Sequence, residues 1–279
     1  MSKQPNQPLT PAIVVFDIDG VVRDVGGSYR RALADTVEHF TAGAYRPTQA
    51  DIDQLKSEGI WNNDWEASQE FIYRYFEAQG QPRSRSVFEK ESRIQLDYPA
   101  IVAFFQSRYR GPDPKNWTGY ICHEPLLLQP SYLEQLTTAG IPWGFFSGAT
   151  RGSATYVLER RLGLKSPVLI AMEDAPGKPD PTGLLATVNQ LEQRLDASTP
   201  VLYLGDTVAD MYTVQKARSL FPSRTWIGVG ILPPHVQEIP ARRDGYADTL
   251  RAAGAAEIFS NVQELTPVKI QQLVHLGES

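Results

Sequence analysis

The stretch Ile13-Val14-Val15-Phe16-Asp17-Ile18-Asp19-Gly20-Val21-Val22 constrains this chain most. Four apolar residues, two of them valines, run directly into two carboxylates and a glycine. A short apolar run with β-branched residues reads as a strand buried on both faces. Asp and Gly are poor strand formers, so the strand is expected to end at about Asp17. Open α/β sheets bind ligands at the carboxyl ends of their strands, which places Asp17 and Asp19 where a site would be. Residues two apart in extended backbone point the same way, with Ile18 turned to the other side. Two adjacent carboxylates repel and are costly to desolvate, although an ordinary strand-to-turn exit could carry the same residues. An EF-hand loop is excluded: it requires Asp or Asn at 21 and Gly at 22, where this chain has Val21 and Val22.

The 279 residues are 42% hydrophobic, enough for one large domain or a core with an inserted second domain. A net charge of -5 supplies no basic face, so no nucleic-acid partner is expected. The single cysteine, Cys122, excludes an intrachain disulfide and a Cys-based zinc site, and reads as a buried structural thiol. Four histidines without ligand spacing are assigned to no metal. Residues 1–10 are polar and proline-bearing and read as a disordered tail, not a signal peptide or anchor. No run of about 18 apolar residues appears, so no membrane association is expected and a cytoplasmic location follows. Oligomeric state is left open.

From 25 to about 121 the pattern is helical throughout. Ser28 is a candidate N-cap for a helix to about Ala42, with Leu33, Val37 and Phe40 on its apolar face. Thr48 is a candidate cap for a second helix through Leu55, and a third is expected over Trp65–Ala78. A fourth, interrupted near Pro99, covers roughly Val87–Tyr109. Strand and helix then alternate. Strands are expected at Ile141–Phe146, Val168–Met172, Val201–Leu204, Thr225–Val229 and Glu257–Phe259. Helices are expected at Ser131–Ala139, Ala154–Leu162, Pro181–Leu195 and Val208–Ser219. Such alternation implies a doubly wound, mostly parallel α/β sheet. The expected division is a core of 11–24 plus 122–279, with an all-helical insertion at 25–121.

Polar residues recur just after the predicted strands: Asp17 and Asp19, then Ser147 with Gly148, then Lys178, then Asp206 and Asp210. This set suits phosphoryl transfer. A carboxylate can act as nucleophile. Several carboxylates can hold Mg²⁺. A hydroxyl and an ammonium can bind phosphate oxygens, and a second carboxylic acid can move the leaving group's proton.

In these motifs the chain resembles the haloacid dehalogenase-like superfamily, in its phosphoglycolate-phosphatase-like branch with a helical cap after the first strand. The four family motifs are matched in order by Asp17-Ile18-Asp19-Gly20, by Ser147, by Lys178, and by Gly205-Asp206-Thr207-Val208-Ala209-Asp210. The resemblance implies that Asp17 is nucleophile and Mg²⁺ ligand. It implies that Asp19 is general acid and base and binds the metal through its carbonyl, and that Asp206 is a direct ligand. Asp210 is implied to act directly, through water, or by holding Lys178. Relatives that cleave carbon–halogen bonds generally lack the second aspartate, so Asp19 argues for a phosphate ester. Phosphonate-cleaving relatives use a cap lysine, and none of Lys56, Lys90 and Lys115 lies in a recognisable motif.

Relatives also place a loop between cap helices over the phosphate, at the position of Gly59–Trp65. Asn62, Asn63 and Asp64 there are candidate substrate-reading residues; alternatively they terminate helices. Arg23, Arg30 and Arg31 present a solvated face, or one of them (Arg23 foremost) reaches a substrate carboxylate. Glu173 and Asp174 read as solvated loop, and Asp180 as a helix cap. The leading expectation is a Mg²⁺-dependent phosphatase of a small phosphorylated metabolite, of phosphoglycolate or sugar-phosphate type. A phosphomutase of the same fold and a non-catalytic binding protein are the alternatives.

Overall fold

The computed structural model describes residues 11–61, 63–81, 83, 95–192 and 198–277. The expected tail 1–10, Asn62, residues 87–94 of the fourth predicted helix and the end of Pro181–Leu195 lie outside the described residues.

Residues up to Asp24 and from Leu126 onward form one compact unit, and Val25–Pro125 form a second. The first is built on a six-stranded, all-parallel sheet: β1 (Ile13–Phe16), β2 (Trp143–Phe146), β3 (Leu169–Ile170), β4 (Val201–Gly205), β5 (Trp226–Ile231) and β6 (Ala255–Phe259), in spatial order 3-2-1-4-5-6. β1 is central and buried on both faces, as its unbroken apolar run requires. Val14 and Phe16 join a core with Phe145, Leu202, Leu204 and Val229 on one side. Ile13 and Val15 join another with Phe146, Val201 and Tyr203 on the opposite side. The strands are shorter than expected at β2 and β3 and longer at β4, β5 and β6.

In the helical unit α1 (Tyr29–Phe40), α2 (Gln49–Lys56), α3 (Asp64–Ala78) and α4 (Tyr98–Tyr109) follow the sequence closely. Leu33 and Val37 of α1 are fully buried. Thr48 and Asp51 form a reciprocal capping box at α2. Pro99 lies in the first turn of α4, where its missing N–H costs nothing, and most of the predicted stretch before it lies outside the described residues. One expectation is corrected. Ser28 occupies the N-cap of α1 without capping it, because its hydroxyl bonds to Glu124 instead. The helical unit also runs beyond 121: Tyr120 bonds Asp35 and lies under Arg31, which ties the segment through Glu124 to α1.

In the core unit α5 (Pro130–Thr138), α6 (Arg151–Thr155), α7 (Thr182–Leu191), α8 (Val208–Leu220), α9 (Pro234–Gln237), α10 (Pro240–Ala252) and α11 (Pro267–Gly277) flank the sheet or its ends. α6 passes into a π-helical turn at Tyr156–Arg161 where an α-helix was expected. The sequence reading missed α10, whose interior holds Gly245 and Asp244 and which buries only Ala247 and Leu250. Cys122 is half-buried, its thiol donating to Trp117 O, and is no core thiol. Among the described residues no helix is long and apolar enough to cross a membrane.

One ion network in the helical unit generates a stability prediction. Glu70 of α3 is buried and contacts Arg74 Nε and Arg83 NH1, each at 2.7 Å. Burial pushes its carboxyl up, but the bonds and charges of Arg83 and Arg74 outweigh that and leave it below the ordinary 4.5. A carboxylate depressed by folding stabilises the fold at higher pH, and that contribution is lost as pH falls through the folded value. Glu70's contribution to the helical unit's stability is therefore expected to be lost as pH falls below about 4.5. Glu70→Gln should lower Tm at neutral pH and flatten this acid slope; an unchanged slope contradicts the account.

Candidate active site

β1 lies between β2 and β4, with Phe16 in register with Phe145 and Leu204. The residues one or two beyond these three strands therefore converge. Asp17 donates its N–H to Leu204 O, and Ser147 its N–H to Ile170 O, so both are fixed by sheet bonds. Connections diverge to either side of β1, which makes this the switch point where open α/β sheets place ligands.

Asp17 is 6% exposed. Its Oδ1 accepts the Ile18 N–H at 2.7 Å, and its Oδ2 lies 2.9 Å from Lys178 Nζ. Lys178 sits in the loop between β3 and α7 and reaches Asp210 Oδ1 at 2.6 Å as well. Its ammonium lies 5.3 Å from the Phe146 ring and 5.4 Å from that of Tyr203. Asp210 uses both oxygens: Oδ1 faces Lys178 and the Tyr203 hydroxyl (3.0 Å), while Oδ2 accepts from Thr207 N (3.0 Å) and Oγ1 (2.6 Å) in the capping box of α8. Holding Lys178 is one of its three expected modes, and Asp210 also offers an oxygen to the carboxylate cluster. The helix-terminus role coexists with it.

Asp17, Asp206 and Asp210 each offer a carboxylate oxygen, all within 4.8 Å of one another. Burial pushes the Asp17 carboxyl up to about 7; Lys178 opposes this, and Asp210 and Asp19 add to it. Asp206 is raised well above the usual range by burial, then by Asp210 and Asp17. Burial alone would lower the Lys178 ammonium, but Asp17 and Asp210 reverse that and raise it. One lysine does not balance three carboxylates, and the donor set is oxygen only. Such a cluster fits a hard divalent cation.

Two glycines make the cluster possible. Gly20 has φ of +75°, and a Cβ there would lie 2.0 Å from Asp206 Oδ2. At Gly205 a Cβ would lie 2.2 Å from that of Asp210. The sequence signal for both was the glycine inside each aspartate motif.

Asp19 is held differently. Arg23 Nε donates to its Oδ1 at 2.6 Å, and Arg23 is fully buried. The expected solvated arginine face is thus corrected at two of three positions. Arg30 is also buried and pairs with Asp53 at 2.7 Å, whereas Arg31 is exposed. Ser147 is buried, and its Oγ accepts the Ala149 N–H at 3.1 Å; Gly148 beside it is exposed. Asp180 lies one residue before the N-cap position of α7, which is Pro181, and accepts the Thr182 N–H from there rather than as the cap. Glu173 accepts the Arg151 N–H and Asp174 the Ala171 N–H, so both are loop ligands to protein groups.

In the helical unit Asn63 caps α3 by accepting the Trp65 N–H, and Asp64 pairs with Lys56 Nζ at 2.9 Å. Both side chains therefore build α3. Two contacts escaped the sequence reading. Tyr203 supports Asp210, and the Tyr246 hydroxyl donates to Asp206 O at 2.9 Å. A tyrosine inside an otherwise aliphatic strand was the available signal for the first; the second had none.

Comparison with known proteins agrees with the fold. Residues 11–218 match the family model of haloacid dehalogenase-like hydrolases. A protein of Phytophthora nicotianae named imidazoleglycerol-phosphate dehydratase is 29% identical over 225 residues, covering 79% of this chain. The match spans only 43% of that relative's length. A phosphonoacetaldehyde hydrolase-like protein from Oleispira antarctica superposes with a TM-score of 0.66 at 15% identity, covering 100% of this chain and 99% of its own. Phosphatase Tt82 from Thermococcus thioreducens superposes at 0.59 with 22% identity, covering 85% and 98%. At these identities the structures share the fold.

A divalent cation at saturating concentration is expected to raise Tm by a few degrees, since a hundredfold excess over Kd is worth about 2.7 kcal/mol. Asp206→Asn and Gly20→Ala should each abolish the shift measured with Mg²⁺ by calorimetry. A wild-type-sized shift in either contradicts the assignment of the cluster.

Proposed function

The chain belongs to the haloacid dehalogenase-like hydrolase family, and from that premise we propose that it is a Mg²⁺-dependent phosphatase of a small phosphorylated metabolite. The observation that carries the reading is the placement of Asp17 at the end of the central strand, against Lys178 and beside Asp206.

An Asp17 carboxylate oxygen attacks phosphorus in line as the bond to the ester oxygen breaks. Asp19 gives its proton to that oxygen, which leaves as an alcohol. The product on the protein is an aspartyl-phosphate. Water then attacks phosphorus and gives its proton to Asp19, and Asp17 departs as a carboxylate, releasing inorganic phosphate. Ser147, the backbone at Gly148, and Lys178 bind the phosphoryl oxygens and offset their growing charge. Asp210 fixes the ammonium of Lys178, and Tyr203 and Thr207 fix Asp210. Asp17, Asp206 and the Asp19 carbonyl would hold Mg²⁺, which when bound neutralises charge on carboxylates and phosphoryl oxygens. The presence of Asp19 favours an ester over a carbon–halogen bond, because a leaving alkoxide needs a proton and a halide does not.

Of the three lysines weighed for chemistry on a phosphonate, Lys56 pairs with Asp64 and Lys115 is exposed, while Lys90 lies outside the described residues.

Phosphate release is the test, on a panel containing phosphoglycolate, sugar phosphates and imidazoleglycerol phosphate, with Mg²⁺ and with chelator. Release is expected with Mg²⁺ only. Asp17→Asn is expected to reduce it by roughly three orders of magnitude or more while leaving the circular dichroism unchanged. Undiminished release from that variant overturns the mechanism. Isomerisation of a hexose 1-phosphate without phosphate release would assign a mutase instead.

A further inference from the structure

We propose that Arg23 is the positioning residue of Asp19, deciding which of its two oxygens exchanges the proton. The proposal rests on the phosphatase reading and deepens it.

Arg23 is 0% exposed, whereas the Asp19 side chain is 29% exposed. Both Nε and a terminal nitrogen of the guanidinium lie 2.6 Å from the same atom, Asp19 Oδ1. Among the described residues no group donates to Oδ2. One edge of the carboxylate is thus anchored inward on a buried cation, and the other is left open. The backbone fixes the arrangement. Gly20 N–H donates to Arg23 O (2.9 Å), Arg23 N–H to Ile18 O (3.1 Å), and Leu127 N–H to Val22 O (2.8 Å). Asp19 and Arg23 therefore belong to one closed turn, four residues apart.

A guanidinium is rarely buried without a partner, because desolvating it is costly. An apolar side chain would fill the same volume without that cost. Nε is held rigidly within the planar guanidinium and so gives the oxygen it bonds a set direction, which a freely rotating ammonium does not. A general acid must lie within hydrogen-bond reach of the oxygen it protonates, so fixing its orientation is itself a contribution to rate. In this arrangement Oδ1 accepts from Arg23 throughout. Oδ2 carries the proton given to the ester oxygen and later takes one from the attacking water.

The test compares two esters by kcat/KM, which reports steps only up to departure of the leaving group. Glycerol 2-phosphate leaves as an alkoxide that needs a proton, and its neutral alcohol offers Arg23 no carboxylate to bind. p-Nitrophenyl phosphate leaves as a stable anion. Arg23→Met is expected to reduce kcat/KM for glycerol 2-phosphate about a hundredfold and for p-nitrophenyl phosphate about threefold or less, the range general acid catalysis supplies. Asp19→Asn should show the same split. Arg23→Lys, which keeps a charge at the site, should show it with smaller amplitude and serves if the methionine variant does not fold. Equal losses on both esters assign Arg23 to packing and overturn the proposal, as does no loss on either. A split in the Asp19 variant without one in either Arg23 variant overturns the proposal alone. No split in the Asp19 variant, or no wild-type turnover of either ester, overturns the phosphatase reading and the proposal together.

Discussion

The site depends on the repulsion between carboxylates gathered around one lysine, Asp17 and Asp210 buried and Asp206 half-buried. Asp17, Asp206 and Asp210 offer oxygens within 4.8 Å of one another, and only Lys178 among the cations described reaches two of them. Burial and mutual charge push Asp17 and Asp206 upward. A cluster left in that state is costly, and the fold assembles it with rigid supports. Asp17 is tied to β4 through its own N–H, Asp210 is locked in a helix cap, and glycines stand where any side chain would collide. The strain is electrostatic, and a divalent cation bound there would relieve it.

Two kinds of support meet at this site. The sheet fixes where the backbone of each motif ends, because β1, β2 and β4 are neighbours in register. Side chains then fix orientation: Tyr203 and Thr207 hold Asp210, Asp210 holds Lys178, and Arg23 holds Asp19. The carboxylates proposed to react are held by these chains of contact. Within Asp210 a helix cap and a lysine clamp use different oxygens of one group, so the structural and functional roles do not compete.

Much of this was legible in the sequence. The apolar run into Asp17 specified a buried parallel strand, and the positions of Asp17, Ser147 and Asp206 followed from strand ends, whereas Lys178, in the loop eight residues past β3, was picked out by its motif. The helices of the second unit were legible where apolar spacing was regular, as in α1, or where a cap was explicit, as at Thr48. α10 escaped because only two of its residues are buried and its composition is polar. Ser28 misled because a hydroxyl at a helix start has more than one possible partner, and Glu124, 96 residues away, is out of reach of any local rule. Arg23 misled for the opposite reason: arginine is usually solvated, and only the turn closed by Gly20 shows that this one is enclosed with Asp19.

The central claim is that Asp17 carries the phosphoryl group. The direct measurement is mass spectrometry of acid-quenched Asp19→Asn protein after one turnover of p-nitrophenyl phosphate with Mg²⁺. In that variant the first transfer proceeds, because the leaving group needs no proton, and the second is slowed, because water lacks its base. The account expects one p-nitrophenolate released per chain and one phosphoryl group on the peptide carrying Asp17. Release of p-nitrophenolate with no phosphorylated chain, or with the group on another residue, would contradict it.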